Sequence, residues 1–333
     1  MLMSKPRLCS LLDLPTELLV EIISYHPYPF TFLSPLLRQE HGAQERHDRR
    51  QVLRSLSQTC VVLRTIFLPL LWERFEASQA SLQEIHTNEA VASLLFPYIK
   101  SVHISMKTWG LEDMEAVFLF VQFIRALPNL VGLQIYQASY ECVPVLSYAF
   151  ADIMLPNITA LCVPDWLDGI FPAFPNLTTL ACPCIYTHST ALAPAKQFFP
   201  RLEAITGLRL SRNLIEAVLQ DFPNLRAITV TSTIPLQPKK AQSHSDPMHE
   251  RCTADPDDLA LLSSFKNLSE LSLIHDETVM AEAVVLPLDV LLQRGADVLR
   301  ASKNPGRKVL RVWSFDMYRG YEVEPRVIPV RAL

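Results

Sequence analysis

The sequence predicts an α/β protein in two parts: a small N-terminal group of three helices, then a curved, irregular solenoid whose repeated units build a parallel sheet. Three observations carry this. Apolar residues recur at helical spacing over residues 11–25 and again over residues 52–75. From residue 96 onward a short phrase returns, as FPYIKSVHI, LPNLVGLQI, LPNITALCV, FPNLTTLAC, FPRLEAITG, FPNLRAITV and FKNLSELSL. Between the phrases lie stretches with helical periodicity, the clearest at Leu111 to Leu127, so strand and helix alternate.

The helices come first. Leu11, Leu14, Leu18 and Ile22 form one apolar line, and Leu12, Leu19 and Ile23 form a second beside it. Pro15 suits a first helical turn, where its missing N–H costs nothing, and Glu17 places negative charge near the positive end of the helix dipole. This helix is therefore expected to start between Asp13 and Thr16. Val52, Leu53, Leu56 and Cys60 mark another helix, and Leu63, Ile66, Phe67, Leu70 and Leu71 a third, which Pro69 is expected to end or kink. Three short helices bury only a small core. Their apolar stripe is wider than that core needs, so a face is left for a partner.

The segments LPTELLVEII and LRSLSQTCVVLRTIFLPLLWERF resemble an F-box. That family's pattern is Leu-Pro-x-Glu-Leu, paired aliphatics, a Cys-x-x-Leu-Arg-like segment and Leu-Trp; Leu14, Pro15, Glu17, Leu18, Ile22, Ile23, Leu56, Cys60, Leu63, Arg64, Leu71 and Trp72 occupy its places. The resemblance spans residues 11–76. An insertion at 26–50 lengthens the first connection beyond the roughly 2–8 residues usual between packed helices. The mixed-charge run from Arg38 to Arg50 reads as a surface loop, with a docking segment as the alternative. Residues 1–10 read as a flexible N-terminus and 77–96 as a linking helix or capping repeat. By resemblance, the domain docks on a Skp-family adaptor, and through it a cullin, in an SCF-type ubiquitin ligase. Leu14, Pro15, Leu18, Leu19, Ile22 and Ile23 would supply part of that interface, with Leu70, Leu71 and Trp72 nearby. Some of these must instead form the domain's own core, and the sequence does not sort them.

The repeated phrase has apolar residues at a starting position and at +3 and +5. The triads are Ile99, Val102, Ile104; Leu130, Leu133, Ile135; Ile158, Leu161, Val163; Leu177, Leu180, Cys182; Leu225, Ile228, Val230; and Leu268, Leu271, Leu273. Leu310, Trp313 and Phe315 make one more, while Gly207 leaves the rung begun by Leu202 and Ile205 defective. Most successive starts lie about 20–30 residues apart, near the period of leucine-rich repeats. Strand alternation turns +3 and +5 inward together, and Pro-Asn before each strand is turn chemistry. Residues 97–318 thus resemble the irregular leucine-rich repeats that accompany F-boxes in fungal proteins; an open α/β domain is the plainer alternative. Pro235 to Pro256 is polar and Pro-rich and reads as an exposed loop, Glu277 to Arg307 as helical packing, and 319–333 as a C-terminal tail. The outward positions give a concave surface including His103, Ser105, Gln134, Tyr136, Cys162, Thr229, Thr231 and Ser272, where a protein substrate would sit. It is neutral and holds no cluster of arginines, so it is not expected to read a phosphorylated motif.

Composition narrows the classes. A formal charge of −4 offers no basic stripe for nucleic acid or anionic lipid. Apolar runs are broken well before the ~20 residues a membrane span needs, and Asp13 and Pro15 cut the N-terminal run short of a signal sequence. Seven scattered cysteines fit reduced thiols, and the expected location is the cytoplasm, the nucleus or both. Cys162, Cys182, Cys184 and His188 have loose zinc-like spacing. However, Cys182 is at +5 and Cys162 at +4, so their side chains point oppositely, and no metal or other cofactor is expected. Eight glycines form no phosphate-cradling loop, and no G-x-S-x-G or H-E-x-x-H occurs. The reading is a non-catalytic substrate adaptor. A repeat scaffold without a ligase role, and an enzyme with an unrecognised thiol site, are the alternatives.

Overall fold

Each apolar pair at +3 and +5 lies on a strand, and the strands stack in the order of the sequence. The computed structural model describes residues 14–24, 39–110, 113–182, 192–231, 256–276, 288–315 and 326–330. Three helices lead: α1 (Thr16–Ser24), α2 (Gln39–Thr59) and α3 (Val61–Trp72). There follow β1 (Arg74–Ala77), α4 (Gln79–Thr87), α5 (Glu89–Leu95), β2 (Ser101–Met106), α6 (Met114–Ala126), β3 (Gly132–Ala138), α7 (Cys142–Phe150), β4 (Ala160–Cys162) and a 3-10 segment (Asp165–Ala173). The chain continues with β5 (Thr179–Ala181), α8 (Leu192–Phe198), β6 (Ala204–Arg209), α9 (Arg212–Asp221), β7 (Ala227–Thr231), α10 (Pro256–Ala260), β8 (Glu270–Asp276), α11 (Leu288–Ala301), β9 (Lys308–Phe315) and β10 (Arg326–Val330). Strands β1 to β9 are parallel in sequential order, and β10 closes the end antiparallel to β9.

Two hydrogen-bond devices recur between neighbouring units. The carbonyl before a strand accepts from two successive amides of the next unit: Lys100 from Val131 and Gly132, Val131 from Thr159 and Ala160, Thr159 from Thr178 and Thr179. The series runs on through Thr178, Glu203 and Arg226. The turn asparagines do the rest. Asn129 Nδ2 donates to the Pro97 carbonyl at 2.8 Å, Asn176 to Pro156 at 3.1 Å and Asn304 to Asn267 at 2.8 Å. These asparagines clamp their turns to the neighbouring unit, which keeps the strand starts level.

The main core lies between the sheet's +3/+5 face and the helices. Val102, Ile104, Leu133, Ile135, Leu161 and Leu180 are fully buried, as are Phe120 and Ile124 of α6. Phe171 and Phe199 pack at 4.9 Å and Phe150 and Phe174 at 5.8 Å, so aromatic side chains bridge successive units. At Gly295 a Cβ would lie 2.9 Å from Leu310 Cδ1 and 3.1 Å from Leu273 Cδ1, and that clearance lets α11 sit close on β8 and β9.

Several expectations change. Residues 39–50, expected as a surface loop, are helical and continuous with α2. No proline falls between Pro35 and Pro69, and Gln, Glu, Ala and Arg are strong helix formers even where an apolar stripe is missing. Pro69 does not end α3, which runs on to Trp72 and packs Leu70, Leu71 and Trp72 against the two cores. The sheet begins earlier than the repeated phrase, because Arg74–Ala77, which straddles the end of 11–76, pairs with β2 as a first strand.

Two corrections concern strand register. In β6, Gly207 has φ 91° and the pairing with β7 shifts between Thr206 and Leu208. This bulge restores the rung, since Leu208 then pairs with Val230 and is buried. An alanine there would be forced into a backbone that L-residues avoid, so Gly207→Ala is expected to cost about 1–2 kcal/mol in denaturant unfolding. In β9, Leu310 pairs with Leu271 and Val312 with Leu273. The inward pair is therefore Leu310 and Val312, whereas Trp313 falls in register with Ile274. The sequence offered two overlapping apolar patterns there, and a one-residue slip changes the face. The stretches 1–13, 26–38, 235–255 and 319–325 lie outside the described residues. So do Cys184 and His188.

Candidate functional site

Two surfaces carry the residues singled out from the sequence. The first is the helical unit. Leu19 and Ile23 of α1 are buried in a small core with Leu53 of α2 and Leu63 and Phe67 of α3. They belong to this unit's own core, because they fall on the side of α1 that α2 and α3 cover. Leu18 is 45% exposed, Pro15 is exposed, and Leu14 is half-buried against the core. The side chain of Ile22 lies outside those described. Leu70, Leu71 and Trp72 are half-buried: the first two against this small core, Trp72 against the sheet core, where it stacks with Phe75 at 6.4 Å.

Arg49 Nη1 donates to the Ile23 carbonyl at 2.7 Å. That carbonyl belongs to the last turn of α1, which has no helical partner, and a cation there also opposes the helix dipole. The bond ties α2 to the end of α1 and fixes which side of α1 faces out. Outward come Leu18, Val20, Val61 and Val62, large apolar side chains with 76% exposure at Val61. Val20, Val61 and Val62 were missed in the sequence. Their signal was there, because a stripe through Leu63, Ile66, Phe67 and Leu70 leaves 61 and 62 beside it.

The second surface is the sheet face opposite the main core. Expected to be open, it is largely closed: His103, Gln134, Cys162, Thr229 and Ser272 are buried, Tyr136 is half-buried and Ser105 is exposed. The side chain of Thr231 lies outside those described. Register contributes to the burial, since His103, Gln134, Cys162, Ala181, Thr206, Thr229 and Ser272 stand opposite one another along one row. Strands about 4.8 Å apart bring such same-face side chains into contact. Cys162 is on this row, whereas Cys182 packs against the main core, so the two thiols lie on opposite faces.

At the row's start Arg74, unnoticed in the sequence, holds its Nη2 2.7 Å from His103 Nδ1. Arginine only donates, so Nδ1 accepts and the imidazole is the tautomer with its proton on Nε2. The His103 and Tyr136 rings meet edge-on at 6.0 Å. At the far end Arg311 is ion-paired with Glu270, and burial lowers its pKa from the usual arginine range. Gln134 is 1% exposed, and both polar atoms of its amide lack hydrogen-bond partners among the described residues. A buried amide in that state costs about 1–3 kcal/mol. Gln134→Met, similar in volume and without the amide, is expected to raise unfolding stability by roughly that amount. A fall in stability would mean that the amide has a structural partner.

Residues 2–93 match the family profile of the F-box-like domain. The chain carries an F-box-like domain at its N-terminus. No curated protein matches the chain. The matched stretch takes in α1 to α3 and also β1, α4 and most of α5, so the F-box-like domain runs directly into the sheet. Among the described residues no helix is long and apolar enough to cross a membrane.

Proposed function

We propose that this protein is the substrate receptor of an SCF-type ubiquitin ligase: the F-box-like domain docks on a Skp-family adaptor, and through it a cullin, and the sheet domain holds a protein substrate. The observation that carries the reading is the exposed apolar set Leu18, Val20, Val61 and Val62 on a domain that matches the F-box-like family. Large apolar side chains left exposed on a small helical domain are surface that a partner's burial would stabilise. The sheet domain is in this reading an irregular leucine-rich-repeat solenoid. Its support is the sequential strand order with the repeated carbonyl and asparagine bonds, which make each unit depend on its neighbours.

In this role the chain breaks no bond itself and works in the cytoplasm or nucleus. Ubiquitin transfer is accelerated by proximity, because a substrate held beside a loaded conjugating enzyme reacts as if intramolecularly. Co-expression of the full chain with a Skp-family adaptor and a cullin tests this. The expected result is one complex of all three on size-exclusion chromatography. A folded chain that elutes alone would overturn the ligase role and leave a binding scaffold.

A further inference from the structure

We infer that the segments following β3 and β4 form a docking site for a basic stretch of the protein partner, with Tyr140 and Trp166 receiving a lysine or arginine side chain. The inference rests on the reading of the sheet domain as a holder of protein substrates, and it names the substrate's chemistry. The two rings lie 4.9 Å apart at an interplanar angle of 32°. Tyr140 is 74% exposed, so one of its faces is open beside a half-buried Trp166. The support under this pair is firm. The 3-10 segment carrying Trp166 packs on α7 through Gly169, where a Cβ would come within 2.5 Å of Ser147 Oγ.

Charge decides the occupant. From residue 126 to 195 there is no lysine or arginine, yet Glu141, Asp152, Asp165 and Asp168 fall within the stretch. These four account for the formal charge of −4, the other 30 acidic residues being matched by 30 basic ones. Glu141 adjoins Tyr140 in sequence and Asp168 lies two residues beyond Trp166; neither has an ion pair or hydrogen bond among the described residues. A ring face attracts a cation through its quadrupole, and an adjacent carboxylate adds to that attraction. An acidic or phosphorylated segment would be repelled. A purely apolar one would gain nothing from the acidic residues that flank the rings in sequence. A basic side chain suits both the ring face and the negative charge of this stretch. Aromatic residues at such a site are also the usual anchors of protein interfaces.

The test selects random linear peptides displayed on phage against the full chain co-expressed with a Skp-family adaptor, then measures enriched peptides by fluorescence anisotropy. Enriched peptides are expected to carry lysine or arginine and to bind more weakly as salt rises. Tyr140→Ala, or Glu141→Gln with Asp168→Asn, is expected to weaken them about tenfold, while Tyr140→Phe, which keeps the ring, stays within about twofold. Enrichment of acidic or uncharged peptides, no enrichment, or indifference to these variants would overturn the site. Adaptor capture is read on the same sample. A chain that retains the adaptor and selects no basic peptide loses this site alone, and one that selects basic peptides without the adaptor loses the ligase role alone.

Discussion

Glutamate at Leu18 and Val62 together is expected to abolish capture of a Skp-family adaptor while the protein stays folded. Both side chains stand in solvent, so replacing them changes stability by no more than about 0.5 kcal/mol each. An interface anchor lost to a charge costs about 2 kcal/mol or more, so two together remove about 4 kcal/mol, near a thousandfold in affinity. Co-purification with the adaptor and a thermal melt on the same preparation give the two readings. Leu19→Glu is the control with the opposite logic. Leu19 is in the small core with Ile23, Leu53, Leu63 and Phe67, so a charge there unfolds the helical unit and lowers the melt as well. If the Leu18 and Val62 double variant keeps the adaptor with its melt unchanged, the exposed apolar set is not the docking surface.

That experiment depends on a sorting that the sequence left open. Leu18, Leu19, Ile22 and Ile23 form two adjacent lines on one helix, and periodicity places them on neighbouring faces without saying which face is covered. The answer comes from long-range packing: Leu63 and Phe67 of α3, and the Arg49 bond to the Ile23 carbonyl, fix the rotation of α1. The inward row of the sheet was easier to read, because a +3/+5 pair of large aliphatics repeats and can only alternate one way. It failed where the local pattern was ambiguous, at Gly207, whose positive φ moves Leu208 into the row, and at Leu310, where two apolar patterns overlap. The opposite row was misjudged for a different reason. Polar residues such as Gln134 and Ser272 look solvent-facing in a sequence, yet register sets them side by side and contributes to their burial. Tyr140 and Trp166 follow their strands and belong to no repeating position, so no periodicity marks them; their pairing exists only in three dimensions.

Phe171→Ala is expected to destabilise the sheet domain by about 3–5 kcal/mol, a loss comparable to much of the 5–15 kcal/mol by which a whole domain is stable. Phe171 is fully buried in the connection after β4, and its ring meets Phe199, at the end of α8 in the next connection, at 4.9 Å. Truncation therefore leaves a cavity at a junction and not merely within one unit. In an array held by nearest-neighbour contacts, weakening one junction lets the halves unfold separately. Urea unfolding followed by two probes, one on each side of the site, is expected to give coincident transitions in the unaltered protein and separated ones in the variant. Coincident transitions shifted together by the same energy would instead mean that the sheet unfolds as a single cooperative body, in which Phe171 is one core residue among many. The comparison also bears on the adaptor experiment. Trp72 of α3 packs into the same sheet core as Phe75 and β1, so a fully cooperative sheet would transmit the Phe171 lesion to the F-box-like domain, whereas a divisible one would leave adaptor binding intact.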